Sequence, residues 1–255
     1  MATGVAHRLF RSGFCVCMTE IANPLAVRTT VSFCAAVWNG CATVEAVEAR
    51  LYPGPESVGS PRDHVAVVVD PAAAVLRAWR PQVLVDGRLL KCAGATSVHQ
   101  APLVVGLGPG ARCGLDVHCV IETDRGHDLG RIIERGTAAP NTGIPGLIGG
   151  YRQQRVLRTG IEGIFHSEIS IGDYVEPGQC VGRVEGIANG AAVCSEIRGV
   201  VRGLLRDGTH ATANMKLGDV DPRADRQACF TISDKCRTIS GGVLEAILHR
   251  YPVVQ

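Results

Sequence analysis

The residue types that can do chemistry are concentrated in one stretch of the chain, residues 116–150. It contains two histidines, three arginines, several carboxylates and seven glycines. Histidine and glutamate side chains can transfer protons, and arginine side chains and the N–H groups of glycine-rich loops bind anions. The candidates for proton transfer are His118, Glu122 and His127. The candidates for anion binding are Arg125, Arg131, Gly106, Gly108, Gly110, Gly143 and Gly146.

The stretch begins with alternating apolar and polar residues, which predicts a strand with His118 and Glu122 on one face. At ~3.3 Å per residue these two side chains would lie about 13 Å apart on a straight strand. Because one metal ion cannot bind both directly over that span, we predict no metal site. We instead expect an anion held by Arg125 and Arg131, in a pocket shared with the loop at residues 106–110.

The same residues also fit a simpler interpretation. Glycine-rich segments often form only turns, and charged residues beside them are often solvated or paired with each other at the surface. Both interpretations stay open at the level of the sequence.

The composition is that of a globular protein and argues against several classes of function. The 255 residues are 46% hydrophobic and 20% charged, which is ordinary for such proteins. A net charge of +2 and 4% aromatic residues give neither the basic surface nor the stacking residues of nucleic-acid-binding proteins. No apolar run is long enough to suggest a membrane span. Eleven cysteines, an odd number without a CxxC motif, predict reduced and mostly buried thiols in a cytoplasmic protein.

The elements that would position a ligand site lie in the first half of the chain. A predicted helix over residues 2–12 and a predicted strand over 14–19 that ends at Glu20 are typical of the second half of a dinucleotide-binding βαβ unit. In such a unit the acidic residue holds a ribose hydroxyl, whereas the strand and glycine-rich turn that precede the helix are absent from this sequence. Asp86 ends another predicted strand, 82–86. Glu20 and Asp86 are therefore the candidate cofactor-binding residues, expected at one sheet edge with the loop at 106–110.

The remaining elements of this half predict a small parallel sheet. The pattern predicts a helix over residues 31–38, a strand over 43–51 and a buried strand over 65–69. A helix over 72–79, with Pro71 at its first position, and a strand over 102–105 follow. Strand, helix and strand in succession favour right-handed parallel crossovers. We assign residues 1–150 to an α/β domain.

The second half changes character and contains an internal repeat. The segment EGIF at residues 162–165 aligns with RGVV at 198–201, an offset of 36 residues that also pairs Gly178 with Asn214. Both of these residues suit a left-handed turn. Two such copies predict interlocked β-hairpins about a pseudo-twofold axis, after a break near residues 151–159. A helix around residues 243–248 is expected to close the second domain, residues 151–255.

Motifs along nearly the whole chain resemble those of the YqeB family. They are TGVAHRL, MTEIANPLAVR, VHCVIETDRGHDLGRI, NTGIPGLIGGY, GVVRGLLRDG, KLGDVDPR, TISDK and GGVLEAIL. The strand and GAGDLA-type turn that family members carry before TGVAHRL are missing here. The resemblance implies a Rossmann-like α/β domain without its first strand, followed by a domain like a barrel-sandwich hybrid. The hairpin tip at residues 184–193 has no lysine, so we expect no covalently attached carrier group.

What the resemblance implies about function is a role in the maturation of selenium-dependent molybdenum hydroxylases. The expected partner is the client hydroxylase, with neither nucleic acid nor membrane as a partner. The expected ligand is a molybdenum cofactor or a selenium species, ahead of a nucleotide. Two alternatives stay open: an enzyme that uses a nucleotide in its Rossmann-like domain, and a non-catalytic module that docks on the hydroxylase.

Overall fold

The computed structural model describes residues 1–92, 94, 96–187 and 189–252. The helices in this part of the chain are α1 (Ala2–Arg11), α2 (Ala36–Asn39), α3 (Val75–Trp79) and α4 (Asp234–Arg250). The strands, in chain order, are β1 (Cys17–Glu20), β2 (Cys41–Val44), β3 (Val47–Tyr52), β4 (Val65–Val69), β5 (Val83–Asp86), β6 (Leu103–Leu107), β7 (Cys119–Ile121), β8 (Ile132–Ile133), β9 (Val156–Arg158), β10 (Gly163–Ser167), β11 (Tyr174–Val175), β12 (Cys180–Glu185), β13 (Gly190–Cys194), β14 (Gly199–Leu204), β15 (Thr209–Ala211) and β16 (Lys216–Asp221).

The architecture is mixed α/β, with sheets of parallel strands and sheets of antiparallel strands. Two compact units are present, and neither is continuous in sequence. The first comprises residues 1–21, 46–142 and 232 onward, and the second comprises residues 22–45 and 143–231. This division differs from the predicted one at residue 150, because the chain enters the second unit twice and α4 belongs to the first. None of the described helices combines the length and apolar character needed to cross a membrane.

Parallel strands form the centre of the first unit. Strands β1, β4 and β3 lie side by side in that order, and β5, β6 and β7 form a second parallel set whose β7 pairs antiparallel with β8. The apolar runs of β4 and β6 are almost entirely buried, as expected for strands that are covered on both faces. The prediction of parallel strands over the apolar runs of β4 and β6 is therefore confirmed.

Helices α1 and α4 pack against each other in the first unit. A Cβ atom on Gly4 would lie 2.9 Å from the Cβ atom of Cys236, so the absence of a side chain allows the close approach. At the other contact of α4, a Cβ on Gly242 would lie 2.1 Å from the carbonyl oxygen of Gly130. Glycines at these positions therefore bring α4 down onto α1 and onto the loop after β7.

Antiparallel strands make up most of the second unit, and their positions confirm the repeat. Strands β10 and β14 begin 36 residues apart, at Gly163 and Gly199, and so do β12 and β16, at Cys180 and Lys216. Strand β10 pairs with β12 of its own copy and with β15 of the other. Likewise β14 pairs with β16 and with β11. Each copy thus lends one short strand to the sheet of the other, around a single apolar core.

The left-handed turn residues of the two copies are also confirmed. Gly178 has a φ of 81° and Asn214 a φ of 64°, and glycine and asparagine adopt this region at the lowest cost. Ala188, in the predicted lysine-free tip at residues 184–193, lies outside the described residues.

Three elements differ from their predictions. The strand predicted over 43–51 is interrupted at Glu45 and Ala46, whose φ angles of 44° and 64° form a turn between β2 and β3. The helix predicted from residue 72 begins at Val75, because the Asp70 carboxylate accepts a hydrogen bond from the Val75 N–H (2.8 Å) and Ala73 has a φ of 54°. In place of one helix over 31–38, two 3-10 turns (Thr29–Val31 and Phe33–Ala35) precede the short helix α2.

Candidate functional site

His118 lies at the amino end of β7, where it is held to the neighbouring strand β6. Its backbone N–H donates to the Val104 carbonyl oxygen (2.8 Å), and its ring Nδ1 accepts from the Val104 N–H (3.0 Å). Because a backbone N–H can only donate, the neutral ring carries its proton on Nε2. The side chain is exposed, so Nε2 is the atom that His118 could use in proton transfer.

Glu122 follows the carboxyl end of β7 and is buried, with 6% exposure. One carboxylate oxygen accepts hydrogen bonds from the N–H groups of Thr123 (2.7 Å) and Asp124 (2.8 Å), and the other accepts from the N–H of Ala139 (2.8 Å). Three backbone donors therefore converge on this carboxylate and tie the turn after β7 to the segment near residue 139. The geometry gives Glu122 a structural role, and it lies at the opposite end of β7 from His118.

The two predicted anion-binding arginines are each paired with a carboxylate. Arg125 donates to Asp234 at the start of α4 (3.1 Å), and Arg131 donates to Asp128 (3.0 Å). All four side chains are exposed, so each pair contributes at most about 1 kcal/mol and could exchange its carboxylate for a bound anion. His127 is exposed on the same loop.

Lys235, which the motif analysis did not single out, belongs to this region. Burial lowers the pKa of its ammonium group, and the positive charge of Arg125 lowers it further. Its position on the first turn of α4 follows from the cap, where the Ser233 hydroxyl accepts from the Cys236 N–H (3.3 Å). The Ser-Asp-Lys sequence after an apolar residue is the signal that could have revealed it.

The predicted anion-binding glycines lie in different units. Gly106 and Gly110 line a small cavity of about 10 Å³ together with Asp86, Thr96 and Asp116, and its described lining includes none of the predicted histidines and arginines. Residue 110 has to be a glycine because the backbone at Leu90 approaches it closely: a Cβ at this position would lie 2.1 Å from the Leu90 carbonyl oxygen.

A similar constraint applies to Gly108. Its φ is 78°, and a Cβ at this position would lie 2.7 Å from Thr123 Oγ1. Gly143 and Gly146 belong to the second unit, where the Gly146 carbonyl accepts from Arg155 Nε (3.2 Å). The chemical roles assigned to the residues of the central stretch stay predictions.

Glu20 and Asp86 lie at the carboxyl ends of β1 and β5. Both line a large cavity of the first unit, about 1130 Å³ in volume, together with Arg88 and Thr96. We call these four residues the carboxyl-edge cluster. The rule that ligands bind at the carboxyl ends of parallel strands anticipated this placement, whereas Arg88 and Thr96 were not anticipated.

The electrostatics of the two acids in the carboxyl-edge cluster differ. Burial raises the pKa of Glu20, and a hydrogen bond from the Ile21 N–H (2.9 Å) offsets only part of this effect. Burial also acts on Asp86, but bonds from Arg88 Nε (2.9 Å), Arg88 Nη2 (2.7 Å) and the Thr96 hydroxyl outweigh it and lower the Asp86 pKa. Asp86 is thus firmly ionised and orients one cation and one hydroxyl beside the cavity.

Charged side chains are also buried in the second unit, in the KLGDVDPR motif. Asp221, 4% exposed, accepts from Arg223 (2.6 and 2.9 Å), and Asp219, 7% exposed, lies 3.5 Å from Arg155 and 3.3 Å from Lys216. Arg155 connects β16 to the segment before β9, whereas Lys216 lies within β16 and Arg223 lies just after it. Among the described residues, no group of three or more histidine, cysteine or acidic side chains could hold a metal ion.

Two cysteine thiols of the first unit should be chemically inert. Burial, followed by the negative charge of Asp70, raises the pKa of Cys17 to about 12, and burial raises that of Cys119 to about 11. Because the thiolate is the reactive species, alkylation at pH 8 should be slower by roughly a thousandfold at Cys17 and a hundredfold at Cys119 than at an ordinary thiol. Mass spectrometry after brief iodoacetamide treatment should find the exposed Cys41 and Cys92 labelled first. Equal labelling of Cys17 in folded and urea-unfolded protein would contradict this assignment.

Comparison with known proteins gives one strong sequence match. The chain is 41% identical over 250 residues to an uncharacterized protein, YqeB, of Escherichia coli K12, a match that covers 97% of this chain and 46% of the relative. The chain therefore spans about half the length of the curated relative that it matches. No protein-family model matches the sequence.

Solved structures give only partial likenesses. An aspartoacylase family protein from Mesorhizobium loti is 19% identical, and the match covers 27% of this chain and 23% of that chain at a TM-score of 0.25. The product-bound ectoine utilization protein EutE from Ruegeria pomeroyi is 15% identical, and the match covers 34% of this chain and 27% of that chain at a TM-score of 0.25. Likenesses at this level support no conclusion about function.

Proposed function

Because the chain belongs to the YqeB family, we propose that it is an accessory protein in the maturation of selenium-dependent molybdenum hydroxylases. In this proposal the first unit is a Rossmann-like domain that holds an anionic cofactor or selenium species. The second unit is similar to a barrel-sandwich hybrid and carries no covalently attached group. The client hydroxylase is the partner.

The observation that carries the ligand-binding part of the proposal is the carboxyl-edge cluster. Glu20 and Asp86 come from strands of two different parallel sets and line the same cavity. Ligands of parallel α/β domains bind at such a position, where neighbouring strands lead away in opposite directions. Ala2, at the start of α1, lines the cavity too, and a helix N-terminus favours negative charge.

The donors of the cluster suit an oxygen-rich ligand. Asp86 holds the Arg88 guanidinium through two nitrogens, which leaves the remaining guanidinium nitrogen to point toward a phosphate or other oxyanion. Glu20 can accept a hydrogen bond from a ligand hydroxyl, and the Thr96 hydroxyl is oriented by Asp86. A cofactor with both hydroxyl and anionic groups would satisfy all of these side chains together.

A second candidate function, a nucleotide-dependent enzyme, is favoured by one specific observation. Helix α1 is followed by β1 and then by Glu20 at its carboxyl end, which is the order in dinucleotide-binding units. The nucleotide and metal content of the protein as purified separates the two candidates. A bound nucleotide that turns over would support the enzyme, and a bound molybdenum or selenium species would support the accessory protein.

Substitution in the carboxyl-edge cluster tests the proposed site. In cells that lack the chain and are complemented with Asp86→Asn, client hydroxylase activity should fall about tenfold or more, because losing a charge-assisted hydrogen bond costs about 1.5–3 kcal/mol. The matched control is Glu48→Gln, a half-buried acid of the same unit that is paired with Arg50 (2.8 Å), and it should leave client activity unchanged. Equal client activity with both variants, at equal levels of folded protein, would rule out this site.

A further inference from the structure

Two cysteines of the second unit lie opposite each other on neighbouring strands. Cys180 begins β12 and Cys194 ends β13, and the antiparallel register pairs them directly. Residues opposite each other in such a pair have Cα atoms about 4.5–5.5 Å apart, and a disulfide needs a Cα separation of roughly 4.4–6.8 Å. The backbone at these two free thiols therefore already has the spacing of a disulfide.

The two thiols also interact with each other. Desolvation, and then the neighbouring Cys180, raise the pKa of the Cys194 thiol, so the two sulfur atoms lie close enough to interact electrostatically. The Cys180 thiol has a defined position, because its Sγ donates to the Gly182 carbonyl oxygen (3.2 Å). Both the register of the strands and the side chains thus bring the two sulfur atoms together.

The two thiols differ in how easily a small molecule can reach them. Cys194 is exposed, on a strand that stands at the end of its sheet, whereas Cys180 is half-buried. The register of the two strands shifts between Cys180 and Gly182, and Val181 at this bulge is buried. Because bulges redirect side chains and are common beside reactive sites, this pair has one accessible thiol and one sheltered thiol at an irregular point of the ladder.

The repeat of the second unit shows that its fold does not require cysteines at these positions. The offset of 36 residues relates Cys180 to Lys216. The same offset relates Cys194 to Arg158. Lys216 and Arg158 are also opposite each other, and the register shift recurs there, between Lys216 and Gly218. One copy of the repeat therefore has two cations where the other has two thiols, on the same backbone pattern.

We propose that Cys180 and Cys194 form a dithiol redox site, which reduces a small disulfide and becomes a disulfide between β12 and β13. The Cys194 thiolate attacks one sulfur of the small disulfide, whose S–S bond breaks to release one thiolate. The Cys180 thiolate then attacks the Cys194 sulfur of this mixed disulfide and releases the second thiolate. Two protein thiols are oxidised, the small disulfide is reduced to two thiols, and the two cysteine protons end on those thiols.

The order of the two attacks follows from the geometry. A small disulfide meets the exposed Cys194 first, and Cys180 is then held beside the sulfur that it has to attack. Holding two reacting groups together makes the second step unimolecular. The mixed disulfide at Cys194 should therefore be short-lived in the parent chain and should accumulate when Cys180 is replaced.

The test exposes the reduced full chain to hydroxyethyl disulfide at pH 8, blocks the remaining thiols with iodoacetamide and maps tryptic peptides without reduction. Because trypsin cuts after Arg183, Cys180 is the only cysteine of peptide 159–183 and Cys194 the only cysteine of peptide 184–198. These two peptides should be found joined. The mixed disulfide at Cys194 should be about tenfold or more abundant in Cys180→Ser than in the parent chain, because its intramolecular resolution is lost.

The matched control is Cys41→Ser, which removes another exposed thiol of the same unit and should leave the amount of joined peptide unchanged. Three results would overturn the proposal: no joined peptides in the parent chain, either peptide joined mainly to a different cysteine, or equal amounts of the Cys194 mixed disulfide in the parent chain and in Cys180→Ser. The site uses no residue of the carboxyl-edge cluster. Its failure would therefore leave the proposed function untouched, and the reverse also holds.

Discussion

Replacing Gly242 by alanine should destabilise the first unit by about 3 kcal/mol. An ideal Cβ at this position would lie 2.1 Å from the carbonyl oxygen of Gly130 and 3.1 Å from the Ile121 side chain. Because the first of these contacts is with backbone, the clash cannot be relieved by a change of rotamer. Helix α4 would have to move away from the loop that follows β7, and the buried residues of the helix would lose part of their packing.

The adjacent glycine supplies a matched control for this prediction. A Cβ on Gly241 would meet no atom within 4 Å, so Gly241→Ala should stabilise the protein by up to about 1 kcal/mol through helix propensity. Urea unfolding followed by circular dichroism measures both variants. If Gly242→Ala unfolds at the same urea concentration as the parent chain, the placement of α4 against this loop is wrong.

Loss of the Glu122 carboxylate should have an effect of similar size. Glu122→Ala leaves the N–H groups of Thr123, Asp124 and Ala139 without their present acceptor. Of these three donors only the Thr123 N–H is fully buried, and a buried donor without a partner costs about 1–3 kcal/mol, so the variant should lose about 1–3 kcal/mol of stability. Glu122→Gln should lose less, because its amide oxygen still accepts while its amide nitrogen faces a donor.

The control and the contradicting result for this prediction come from the same region. Glu134 is exposed, and Glu134→Gln should change the free energy of unfolding by no more than about 0.5 kcal/mol. A Glu122→Gln protein with full stability but no client activation would contradict the structural role. It would instead support the proton-transfer role that the sequence predicted for Glu122.

The sequence predicted those parts of the fold that depend on local pattern. Buried strands such as β4 are continuous apolar runs, and the repeat of the second unit appears as an offset of 36 residues, so both could be read directly. The turn at Glu45 and Ala46 could not, because both residues adopt positive φ angles that neither residue type favours. The start of α3 could not either, because it depends on the Asp70 carboxylate reaching Val75.

The site was predicted less completely, for a related reason. A general rule about parallel strands predicted that Glu20 and Asp86 would lie at one sheet edge, and in the structure both line one cavity. The burial of Glu122 and the pairing of Arg125 with Asp234 depend on distant segments, near residue 139 and at α4, that no local pattern connects to them. The return of α4 to the first unit is likewise a long-range contact.

The selenium and molybdenum content of the client hydroxylase tests the central claim most directly. The hydroxylase is purified from cells with the chain, without it, and without it but with the chain restored from a plasmid, and its activity is measured in parallel. A role in maturation predicts that the hydroxylase made without the chain accumulates as a polypeptide, lacks selenium or molybdenum and is inactive, and that the plasmid restores all three properties. A hydroxylase with full selenium and molybdenum content and full activity in cells without the chain would contradict the claim.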